Sequence, residues 1–136
     1  MPIHHGYNRI LRMRRYGKKI EENVIASLRM AGLSVTRSAD LDHNHKVDFV
    51  LRLGRRTVGV QVSLRNDLVK VATAKLCALE VVDRFVYLRI APMCFVRPSS
   101  QNGRDLNLLL DRVVAHHPQP ALRVDIFPSE FQVTPI

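Results

Sequence analysis

The stretch from Val47 to Arg65, VDFVLRLGRRTVGVQVSLR, carries two apolar runs on either side of a short basic turn. Its β-branched residues and alternation predict strands over residues 47–53 and 57–64, turning at Gly54-Arg55-Arg56. With that turn, position 48 pairs with 63 and position 50 with 61. Side chains alternate between faces along a strand. Asp48, Gln61, Ser63 and Arg65 therefore share one face, and Lys46 joins them. A hairpin that reads as buried, with a carboxylate at one edge and two neutral polar groups opposite it, has the outline of a metal site with half of its chemistry changed.

Upstream, the periodicity predicts a helix over 16–31. Ile20, Val24, Leu28 and Ala31 form a single apolar stripe, and Gly32 supplies a left-handed stop. At about 100° per residue, Glu21 falls inside the stripe's angular sector while Glu22 points away. A carboxylate on a buried face is costly unless it binds something, whether a metal or a nearby Arg. A strand over 33–38 and a polar loop over 39–46 lead into the hairpin. Downstream, a helix is expected over 67–82, its apolar face built from Leu68, Val71, Ala72, Leu76 and Leu79. Lys75 falls within that face and Lys70 outside it. A strand over 85–90, a loop over 92–103, a helix over 106–115 and a strand over 122–127 complete the reading. The Pro-containing segment after Phe127 carries little signal.

A chain of 136 residues with 46% hydrophobic residues suits one domain with a real core. The domain is expected over 16–136, preceded by a basic arm over 1–15. The formal net charge of +9 points to a polyanionic partner, nucleic acid ahead of an anionic membrane surface. Residues 1–20 contain Arg9, Arg12, Arg14, Arg15, Lys18 and Lys19 and no acid, as a phosphate-binding arm would. Lys46, Arg55, Arg56 and Arg65 extend the basic set onto the hairpin. The two cysteines, Cys77 and Cys94, form no CxxC pair, so a thiolate zinc site is not expected and buried thiols in a reducing cytoplasm are. No apolar run is long enough to cross a bilayer, and no signal peptide is evident.

The order helix, strand, strand, strand, helix, strand, with an inward Glu on the first helix and an Asp opening the second strand, resembles the core of the PD-(D/E)XK nuclease superfamily. That superfamily includes restriction endonucleases and archaeal-type Holliday junction resolvases. The resolvase-like pattern is a Gly, a Glu four residues later, a Gly ending the helix, "VD" after a polar loop, and "ExK" in an apolar strand. Gly17, Glu21, Gly32 and Val47-Asp48 follow it, and Gln61-Val62-Ser63 stands at the "ExK" position. The likeness spans about residues 16–90. It implies an α/β, restriction endonuclease-like αβββαβ core with a central mixed sheet flanked by helices. It also implies phosphodiester hydrolysis of DNA with Mg²⁺ or Mn²⁺ held by Glu21, Asp48 and Gln61. Mg²⁺ prefers carboxylate, carbonyl and water oxygens, and Gln61 offers a carbonyl without charge. Ser63 brings no positive charge, so another cation must serve. Lys75 is the first candidate, with Arg65 and Lys46 as alternatives.

Two further strings carry less. Asp42-His43-Asn44-His45 resembles a metal cluster but reads as a polar turn at the rim of the site, and His116-His117 suits a helix C-terminus. No Ser-His-Asp set, P-loop or GxGxxG is present. Aromatic residues make up only 6% and Trp is absent, which disfavours a base-stacking platform. Three functions compete: a metal-dependent endonuclease, acting on branched DNA as a homodimer in one form; a catalytically silent domain of the same fold that binds DNA or RNA; and an assembly module.

Overall fold

A computed structural model describes residues 2–64, 67–91 and 93–136, without the side chains of residues 2–14. The hairpin organises the sheet. β2 (Phe49–Leu53) and β3 (Arg56–Ser63) are antiparallel, and Leu53 pairs with Arg56 across a two-residue turn at Gly54-Arg55. Gly54 takes a positive φ of 62°, which only glycine adopts freely. The expected pairing is corrected by two residues: Val50 lies opposite Gly59, and Phe49 opposite Val60. A shift of two keeps every side chain on its face, because the strand period is two.

Six strands form one mixed sheet in chain order. β1 (Val35–Thr36) pairs antiparallel with β2; β4 (Arg84–Ile90) and β5 (Ala121–Ile126) run parallel to β3; β6 (Phe131–Pro135) closes the far edge antiparallel. α1 (Pro2–Met30) and α4 (Ser100–His116) cover one face. Their residues Ile20, Val24, Leu28, Leu106 and Leu110 pack on Phe49, Leu51, Val60, Leu88 and Val124. The two helices meet closely at Gly103, where a Cβ would be driven into the Ser27 carbonyl. Arg84 donates to the Val114 and His117 carbonyls, which closes the C-terminus of α4.

α3 (Leu68–Ala78) covers the other face, and it is the crossover that makes β4 parallel to β3. Its buried side chains are Val71, Ala74 and Ala78, set against Phe85 and Tyr87. The expected face is corrected here: Leu68 and Leu76 are 74% and 71% exposed, and Ala72 is exposed as well. Alanines let the helix approach two aromatic rings that leucines would hold away.

Other boundaries move too. The helix expected from 16 begins at Pro2, so residues 2–15 are helical in backbone. Residues 39–46, expected as loop, contain α2 (Ala39–His45). It buries none of its side chains and is held by its ends: Ser38 Oγ accepts from Leu41 N, and Lys46, at φ 57°, donates to the Leu41 carbonyl. Cys77 and Cys94, expected to be buried, are half-buried and free.

Candidate functional site

β3 extends three residues past its last pairing with β2, and the carboxyl of Asp48 reaches into the gap. Asp48 N donates to the Val60 carbonyl at 2.8 Å, and Val62 N donates to Asp48 Oδ2 at 2.7 Å. The side chain thus satisfies a main-chain N–H that β2 no longer reaches. Asp48 is 9% exposed. From the opposite layer α1 brings Glu21, and from the side α2 brings Asp42, close enough to act on its carboxyl. Three carboxyl groups from a helix, a strand start and a short helix therefore gather in one place.

Such crowding leaves a proton among them. Burial first, and then the charge of Glu21, push the Asp48 carboxyl up to about 8, against the pull of the Val62 N–H; Asp42 adds to the rise. Burial also raises Glu21, with the Arg37 guanidinium opposing it. Arg37 Nη2 lies 3.9 Å from Glu21 Oε1. Arg37, Ser38, Ala39, Asp42 and Asp48 line a cleft of about 300 Å³.

The remaining expected residues divide. Gln61 lies across from Tyr87 of β4, one residue past the Phe49–Val60 pair and so beside Asp48 in register. Its Oε1 is buried and accepts no hydrogen bond from the described residues. Ser63 ends β3 opposite Arg89. Lys75 Nζ donates to the main-chain oxygen of Ile136 at 2.6 Å, so its ammonium is engaged at the β5–β6 end of the sheet rather than at the carboxyls. Lys46 is exposed two residues before Asp48, and Lys18 is close enough to bear on the charge of Glu21. Arg55 and Arg56 are exposed at the turn, the opposite end of the hairpin from Asp48, so they belong to a different surface. Arg15 and Lys19 are exposed on α1. Arg65 and the side chains of Arg9, Arg12 and Arg14 lie outside what is described.

Two residues of this site were not singled out from the sequence. Asp42 was grouped with the rim string DHNH, and Arg37 sits in a two-residue link between β1 and α2. His45 of that string turns elsewhere, facing Asp40, Glu80 and the Cys77 carbonyl. At the same end of the strands, Arg89 and Arg123 converge on Asp125, 6% exposed, at 3.4 and 3.0 Å. That carboxylate accounts for both guanidinium groups.

The donor set is one of oxygens only, which suits a hard divalent cation. Among the described residues no three His, Cys, Asp or Glu side chains close into a metal cage. Mg²⁺ does not ask for one, since it binds through one or two carboxylates and keeps several waters. Glu21 and Asp48 would meet that requirement, and a divalent cation between them would offset the repulsion that raises both carboxyls. Comparison of the chain with protein-family models, with curated proteins and with solved structures returns no match.

Proposed function

We propose that this protein is a divergent PD-(D/E)XK-type nuclease, a metal-dependent hydrolase of DNA phosphodiesters with an altered second half-motif. The observation that carries the reading is the contact between Glu21 and Asp48. These residues lie on different layers, each is costly where it sits, and nothing in folding asks two carboxyls to meet. The ion pair with Arg37 offsets the burial of Glu21 only weakly, because the guanidinium reaches no closer than 3.9 Å. The succession α1, antiparallel β1-β2-β3, crossover α3 and parallel β4 also supports the reading, with α2 as an addition to the αβββαβ order.

In this reading Glu21 and Asp48 hold Mg²⁺ or Mn²⁺, with the Gln61 carbonyl beside them. The bound cation supplies charge neutralisation at the phosphate and a more acidic water. Asp48 would hold such a cation as a carboxylate, oriented by the Val62 N–H. Exposed Lys18, Lys46, Arg15 and Lys19 stand near enough in sequence or space to attract the backbone of the nucleic acid.

The test is cleavage of a supercoiled plasmid and a four-way junction with Mg²⁺, Mn²⁺ or EDTA, beside Glu21→Gln and Asp48→Asn. Metal-dependent cutting, lowered in each variant by at least about a hundredfold, is expected. Cutting that survives both substitutions overturns the assignment of the site.

One observation favours a second reading, a domain that binds nucleic acid without cleaving it. Ser63 carries no charge and Lys75 is engaged elsewhere. That reading predicts retained junction binding with no cutting in any metal.

A further inference from the structure

We propose that Arg37 is the residue that grips the phosphate at this site, supplying from the β1–α2 link the positive charge that Ser63 lacks. The inference rests on the nuclease reading above and names the group that completes it.

Hydrolysis adds water across a P–O ester bond. The water oxygen joins phosphorus, the ester bond to the leaving oxygen breaks, and that oxygen takes up a proton. Negative charge builds on the phosphoryl oxygens on the way, so a cation aimed at them lowers the barrier. The described residues offer few such groups. Lys75 donates to Ile136, Arg89 and Arg123 converge on Asp125, Arg55 and Arg56 stand at the far end of the hairpin, and Lys18 and Lys46, though close by, do not line the cleft.

Arg37 differs from all of these. It lines the same cleft as Asp42 and Asp48. Its ion pair with Glu21, at 3.9 Å, is too long for a hydrogen bond, so Glu21 keeps it near without occupying its donors. Its side chain is 36% exposed, open to an incoming ligand. A guanidinium presents its N–H groups as a planar fork that matches two phosphate oxygens at once. It presents donors and no acceptor, so its role here is to bind and stabilise.

The experiment compares wild type, Arg37→Ala and Arg37→Lys. It measures kcat and KM for Mn²⁺-dependent plasmid cleavage, Mn²⁺ affinity without DNA, and thermal unfolding. Arg37→Ala is expected to lower kcat about 10²- to 10³-fold, as removal of a transition-state donor does. Its Mn²⁺ affinity should be unchanged or tighter, because a cation beside Glu21 is gone, and Arg37→Lys should recover part of the rate. An unchanged kcat in Arg37→Ala overturns the proposal and leaves the nuclease reading standing. Mn²⁺ binding that weakens in step with the rate overturns it too, making Arg37 an anchor for Glu21. A wild type that cuts nothing in any metal overturns both readings together.

Discussion

Folding raises the Asp48 carboxyl, so the folded chain keeps that proton to higher pH than the unfolded one, and stability must register the difference. The folded carboxyl titrates at about 8 against an ordinary 3.8, so between those values the folded state holds a proton that the unfolded state has released. Its contribution is complete below pH 4 and is lost as pH rises towards 8; Glu21, raised as well, acts in the same direction. Asp48→Asn keeps an acceptor for the Val62 N–H but has no proton to lose. The variant should therefore be more stable than wild type at pH 8.5, by about 1–3 kcal/mol, and close to it at pH 4.5. Urea unfolding at the two pH values measures this, and equal differences at both would remove the shared proton from the account. Glu21 and Asp48 could be read from the sequence because each breaks a strong apolar period at a defined angle or edge. Arg37 and Asp42 could not. They lie in short polar segments with no period, and only the docking of α2 beside the hairpin decides which way they face. Lys75 shows the reverse: helical angle placed it on the core side, but the flexible stem carries its ammonium to Ile136.

At the scale of elements, the closest contact is the crossing of α1 and α4. Gly103 lies against the Ser27 main chain, and Ser27 Oγ accepts from Ser99 N, the cap residue of α4. Gly103→Ala would raise helix propensity in isolation. Here the methyl has nowhere to go, so the helices must part, at a cost of about 3 kcal/mol or roughly 10 °C in Tm. A Gly103→Ala protein as stable as wild type in a thermal melt would mean that the two helices do not sit this closely. The elements that were legible are those with a buried period: α1 from Ile20 onward, β2, β3, β4 and β5. Those that were missed have none. α2 buries nothing, and β6 is exposed along most of its length and held by its register with β5. The face of α3 was misjudged because large apolar residues were weighted over small ones, whereas the aromatic floor of Phe85 and Tyr87 selects alanine.

For the whole molecule, charge is the dominant property. Nucleic-acid affinity should fall steeply with salt, because each neutralised phosphate contributes about −0.9 to the slope of log K against log salt for duplex DNA. Removing residues 2–14 takes away Arg9, Arg12 and Arg14 and leaves Tyr16 and Ile20 in the core. That truncation is expected to flatten the slope by about 1 to 3 while Tm changes little. An unchanged slope would take the segment out of the interface.

The sheet is laid down in the order in which the chain is made, since β1 to β6 are neighbours in sequence and in space. Each strand leaving the ribosome can pair at once with the one before it. The helix layer has no such luck. The apolar stripe of α1, from Ile20 to Leu28, is finally covered by Leu106, Leu110 and Val113 of α4. At about 5–20 residues per second, several seconds of translation separate the two. During that interval the sheet is roofed on one face by α1 alone, and the apolar stripe from Ile20 to Leu28 has only half of its final cover.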